Sequence, residues 1–175
     1  LKYLSRAERQ ELCHQIAYYK KHRLTFQYGQ FSRREGTRAG TEVWQVGEGD
    51  KCICGYFQRG YNAAPAGDIL PVAGLEKDAL YTFAAKEQNV YLRSFGELIK
   101  HLLPFSLNPE GFIFRTADSL VNLVDGAEKY TARGDMLMEG VRLENQFLGT
   151  GYHPNIRVLG DFGSNLYSIE QIEGE

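Results

Sequence analysis

Several residues of this chain have types and spacings that could do chemistry. Cys52 and Cys54 stand two apart, so a strand would point both thiols to one side, which is half of a metal site. Zinc takes four ligands, however, and His14, His22, His101 and His153 are scattered singly. The pair therefore reads as two buried free thiols, with no metal and no cofactor expected. A nucleophilic enzyme needs Gly-x-Ser-x-Gly or a cysteine with a placed histidine, and neither occurs. "DFGSN" (Asp161 to Asn165) shares three letters with a kinase loop but lacks its phosphate loop, strand lysine and catalytic loop. "GEGDKC" lacks the Gly-Lys-Ser/Thr ending of a phosphate cradle and reads as a hairpin turn. The 22 acidic residues could supply an acid–base pair, yet none sits in a recognisable setting, and solvated surface explains most of them.

Two further patterns concern binding. The 11 Tyr, 10 Phe and single Trp include Tyr61 in "RGYN" and Tyr152 (beside His153) in "GTGYHPN", loop aromatics able to stack on a sugar ring. Trp44, inside a predicted strand, is expected to fill the core. "TARGDMLMEG" (Thr131 to Gly140) contains Arg133-Gly134-Asp135, the tripeptide of integrin ligands, which is too short to decide anything alone.

The elements that must position these residues follow from composition and periodicity. A chain of 175 residues can bury one good core, and 43% hydrophobic with 24% charged residues is ordinary for a globular protein. Twenty basic against 22 acidic residues, without a run of one sign, leave no footprint for nucleic acid or an anionic membrane. No stretch approaches the ~18 apolar residues of a membrane span. An odd cysteine count (Cys13, Cys52, Cys54) suits a reducing compartment, so a cytoplasmic location is expected. The start "LKYLSRAERQ" lacks a signal peptide's apolar centre and an initiator Met, and reads as a piece of a longer protein.

Ser5 and Glu8 form a capping box that opens a helix. Leu12, Cys13, Ile16, Ala17 and Tyr19 give it an apolar face, and Lys20, Lys21 and Arg23 mark its expected end near His22. From about Thr41, short runs of period two alternate with glycines: "TEVWQV" and "KCICGYF" flank "GEGD" as a hairpin on Gly47 and Gly49. "ALYTF", "VYLR", "VRLENQF" and "NLYSIEQI" are further strands. "SFGELIKHLL" (Ser94 to Leu103) reads as a helix, and "TADSLVNLV" as a helix or a strand. Many short strands separated by turns favour an antiparallel sandwich over a parallel sheet.

Recognition of ordered segments goes further. "IAYYKKHRLTFQYGQFSR", "GLEKDALYTF", "GDMLMEGVRL", "FLGTGYHPNIRVLGDF" and "GDFGSNLYSIE", in that order, resemble the exit from the barrel and the C-terminal sandwich of bacterial α-galactosidases of glycoside hydrolase family 36, in their Firmicutes branch. The resemblance implies a mainly β chain: an antiparallel β-sandwich preceded by one helix left over from the (β/α)8 barrel, with one or two short inserted helices. It divides the chain at residues 1–30 and 31–175, and marks residues 91–129 as an insertion.

The family's retaining chemistry uses two carboxylates about 5–5.5 Å apart. Both are barrel aspartates, one within Lys-Trp-Asp, and here the only Trp precedes Gln45, so no catalytic residue carries over. The chain is then expected to be inactive by itself. The parent enzyme would hydrolyse terminal α-galactosides, with its own barrel, and further copies in a homo-oligomer, as this segment's partners. Leu12, Ile16 and Tyr19 would face the barrel. Asp135 would cap a single helical turn, Gly140 would relax its exit, Leu137 and Met138 would face the core, and Arg133 would face solvent. An autonomous carbohydrate-binding module using Tyr61 and Tyr152 is the alternative, and an extracellular adhesion ligand a third.

Overall fold

The structure, a computed structural model, describes residues 4, 6–59, 68–86, 89–90, 123–124, 128–143 and 163–172. Helix α1 runs over Arg6–Tyr28, one and a half turns past the basic cluster where the sequence places its end. Thr25, Phe26 and Tyr28 are modest helix formers, and the helix stops only at Gly29, whose N–H bonds the Thr25 carbonyl at 2.8 Å. Ser5 of the capping box lies outside the described residues, as do Ser94 to Leu103.

Strands β2 (Thr41–Val46) and β3 (Lys51–Gln58) form the hairpin read from "GEGD". Gly47 and Gly49 take φ of +88° and +70°, which side-chain-bearing residues rarely adopt. The sequence reading missed β1 (Phe31–Glu35), which pairs antiparallel with β2 at one edge of the sheet. The last strand, β10 (Ser164–Gln171), runs between β3 and β5 (Leu80–Ala85), so that Tyr167 lies opposite both Cys54 and Ala85. Strand β8 (Lys129–Arg133) ends the six-stranded antiparallel order β1-β2-β3-β10-β5-β8. A short pair, β4 (Ile69–Leu70) with β9 (Val141–Arg142), and helix α2 (Gly134–Met138) supply the other layer. A separate pair joins β6 (Asn89–Val90) to β7 (Leu123–Val124), so the last two residues of "TADSLVNLV" are strand.

The alternation of each strand decides which face is inside. Val43, Cys52, Cys54, Tyr56, Tyr81, Phe83, Tyr167 and Ile169 share a cluster with Leu70, Val72, Leu75, Leu137, Val141 and Leu143. Each large apolar side chain buried there stabilises the fold by about 1.5–3 kcal/mol. Phe83 stacks on Tyr167 and Tyr130 across neighbouring strands, with centroids 5.1 and 4.9 Å apart. Both thiols of the Cys52–Cys54 pair are free and buried here. The Cys54 thiol is pushed well above its ordinary value by its hydrogen bond with Cys52 and then by burial.

Polar side chains tie the loops to the layers. Buried Gln45 donates to the Gly47 and Ala73 carbonyls and accepts from the Ala73 N–H. The Tyr81 hydroxyl donates to the Gly49 carbonyl and accepts from the Glu76 N–H. By internal contacts the chain forms two compact units, Leu1–Lys21 with Glu87–Asp125, and His22–Lys86 with Gly126–Glu175. The sheet and its core belong to the second, and β6–β7 to the first.

Candidate functional site

The outward face of the sheet carries the most distinctive cluster of side chains. Strand alternation puts Phe31 and Arg33 of β1, Glu42 and Trp44 of β2, and Gly55 and Phe57 of β3 on the side opposite the core. The register aligns Arg33, Trp44 and Gly55 in one row, and Glu42 and Phe57 in the next. Trp44 thus does not fill the core, as its strand position suggested; it lies half-buried on the other face, because the core parity of β2 belongs to Val43 and Gln45. Its ring stacks on Phe57 at 5.2 Å and 22°, with Phe31 tilted against it at 6.2 Å and 41°. Gly55 makes this possible: a Cβ there would stand 2.7 Å from both the Trp44 and Phe57 rings.

Beside the rings, the Glu42 carboxylate is held by Arg33 and by Arg59, the latter at 2.5 Å. Hydrogen bonds from Arg33 and then Arg59 lower its pKa to about 2, and Glu42 raises that of Arg33 in return. A carboxylate so committed is a poor proton shuttle at neutral pH. The rings and the ion pairs tie β1, β2 and β3 together on this face.

A second polar cluster closes one end of the sandwich. Buried Asp68 accepts from Arg38 at 3.0 Å, and Arg38 also donates to buried Gln58 at 2.7 Å. Burial and then the neighbouring Asp68 push the Tyr56 phenol up to about 12. The Leu143 N–H donates to the Asp68 carbonyl and extends the β4–β9 pair, while Arg38 ties Asp68 to Gln58 of the large sheet.

The residues singled out by sequence are distributed differently. Tyr61 and Tyr152 lie outside the described residues. Leu12 is half-buried, while Ile16 and Tyr19 are 44% and 46% exposed. Asp135 is not the cap of α2: Arg133 occupies that position with extended backbone and no side-chain cap. The first N–H groups need none, because Gly134 donates to the Ala79 carbonyl and Asp135 to that of Lys77. The Asp135 carboxylate instead accepts from the Met136 N–H and pairs with Arg133. Arg133 faces solvent, with its side chain 48% exposed, and from there also bonds Asp78 at 2.7 Å. Leu137 is buried, Met138 packs against the core, and Gly140 turns the chain out with φ +114°. An adhesion tripeptide needs a free loop tip; here Gly134 is buried between strand and helix.

The fold is that of a mainly antiparallel β domain preceded by one helix. Residues 41–169 match the family model described as the glycosyl hydrolase family 36 C-terminal domain, and the chain belongs to that family. Among solved structures, an α-galactosidase of Geobacillus stearothermophilus in complex with raffinose matches with a TM-score of 0.59 at 18% identity, over 98% of this chain and 17% of its own. An α-galactosidase of Lactobacillus brevis matches with a TM-score of 0.60 at 18% identity, over 99% and 18%. At such identity the likeness is one of fold. The chain spans less than a fifth of the length of these relatives. No curated protein sequence matches it.

Proposed function

We propose that this chain is the non-catalytic C-terminal domain of an α-galactosidase, which removes terminal α-galactosyl residues from oligosaccharides by a retaining mechanism in a preceding (β/α)8 barrel. The observation that carries this reading is the family match over residues 41–169, combined with solved relatives that are α-galactosidases. In it, residues 1–30 are the last barrel helix and exit segment, and residues 31–175 the sandwich. The domain buttresses the barrel and supports assembly of an oligomer. The exposed Ile16 and Tyr19, with half-buried Leu12, are the helix side that barrel elements would cover. Three free thiols support a reducing, cytoplasmic setting.

The test is the reading frame that encodes the chain. Upstream sequence for a barrel with two strand-end aspartates, one in a Lys-Trp-Asp run, is the expected result. A frame with no barrel upstream, or one encoding an unrelated catalytic domain, would overturn the assignment.

A further inference from the structure

We infer that the ring cluster of Phe31, Trp44 and Phe57, which crosses the three strands diagonally, with the Arg33–Glu42–Arg59 clasp beside it, is the seat of the catalytic part of the longer polypeptide. This rests on the reading above and names a surface of the sheet in addition to α1. Tryptophan, phenylalanine and arginine are the types enriched where proteins bury one another, with apolar rings central and charge at the rim. That is the layout here: the Trp44–Phe57 stack is central, Phe31 is 60% exposed, and Arg33 and Arg59 stand 59% and 68% exposed at the border.

The chain's own path supports this occupant. Helix α1 delivers the backbone directly into β1, the edge strand that carries Phe31 and Arg33, and the Gly47 N–H bonds the Gln30 carbonyl, fixing the junction to the hairpin. Leu24 and Tyr28, in the helix end just before it, are 67% and 81% exposed. The solved relatives are several times longer than this chain, and the family is a C-terminal domain, so in them the remainder enters from this side of the sequence. A sugar fits less well. A pyranose needs the open flat face of a ring, and Trp44 has Phe57 stacked and Phe31 tilted against it.

The test compares amide exchange in the 175-residue chain and in the longer protein that its reading frame encodes, with and without Phe31→Lys. Lysine is well tolerated on an exposed edge strand, so the short chain should keep its melting temperature. In the longer protein, the amides of β1 and β2 should be better protected than in the short chain, and Phe31→Lys should remove that gain and lower the melting temperature. Equal protection in both proteins, a measurement that needs no variant, would overturn the seat. So would protection that grows with the concentration of the short chain, which would assign the face to a second copy. A shift of the fluorescence of Trp44, the sole tryptophan, on adding galactose would give the face to a saccharide and also overturn it. A frame without a barrel would instead sink the underlying reading.

Discussion

Arg133 and Asp135 face each other as a closed fork: Arg133 Nε donates to Oδ1 at 3.2 Å and Nη2 to Oδ2 at 3.0 Å, two residues apart in the chain. The two charged ends of the Arg-Gly-Asp tripeptide thus satisfy each other, and the glycine between them is the part that the fold requires. A Cβ on Gly134 would collide with the Glu76 carbonyl oxygen. Gly134→Ala should therefore destabilise by about 1–3 kcal/mol, the usual cost of overpacking. Arg133→Ala and Asp135→Ala should each cause a small loss, and the double variant less than the sum of the two, because their mutual interaction is shared while the bonds of Arg133 to Asp78 and of Asp135 to the Met136 N–H are not. Denaturant melts of the four variants beside the parent decide this. A Gly134→Ala variant as stable as the parent would show that the turn is loose.

Gly55 is the second glycine whose missing side chain matters. Gly55→Ala should push the Trp44 and Phe57 rings off the sheet, exposing the indole and shifting its emission to the red. Because this is the only tryptophan, the spectrum reads that site alone. An unchanged spectrum would mean that the rings do not lie across Gly55.

Glu42 sets an acid limit. Its folded pKa, about 2, is below the 4.5 of an ordinary glutamate, so the unfolded state binds more protons between these values. The stability it contributes is complete above about pH 4.5 and is lost as pH falls towards about 2. Glu42→Gln should flatten the decline of stability in that window, and salt should weaken the effect since Arg33 and Arg59 are largely exposed. Identical acid-denaturation curves for both proteins would contradict the clasp.

Much of this fold is legible in the sequence, for local reasons. The β2–β3 hairpin announces itself through alternating residues around Gly47 and Gly49, and β5 and β10 through the same period. Strand β1 is hidden because "FSRRE" pairs one phenylalanine with charges: it is an outward edge strand, without the apolar alternation that a core imposes. The end of α1 is misread because the Lys20–Arg23 cluster resembles a terminus, whereas packing of the His22–Thr25 turn keeps the helix going; His22 is 2% exposed. The outward cluster was readable only in part. The i, i+2 spacing of Phe31 with Arg33, and of Glu42 with Trp44, was visible, but which parity faced out depended on cross-strand register. Likewise, Asp135 is an excellent cap by type, and only the tertiary approach of the Lys77–Ala79 carbonyls takes that job from it.

Asp68 should prove the costliest single acid among the described residues. It is 5% exposed and faces Arg38, so Asp68→Ala leaves a largely buried guanidinium short of its partner, at a cost of about 3 kcal/mol. Arg59→Ala, at an exposed pair, should cost far less. Thermal melts showing equal losses for the two variants would mean that the Arg38–Asp68 cluster does not hold the layers together.

In the proposed reading the chain supports catalysis without performing it. The direct measurement is hydrolysis of an aryl α-galactoside by the purified 175-residue chain beside the longer protein from the same reading frame. Turnover by the longer protein and none by the chain is the predicted result, because a retaining mechanism needs a nucleophile and an acid that the barrel supplies. Turnover that stays with the 175-residue chain through successive columns, and disappears when one of its own acids is substituted, would contradict it.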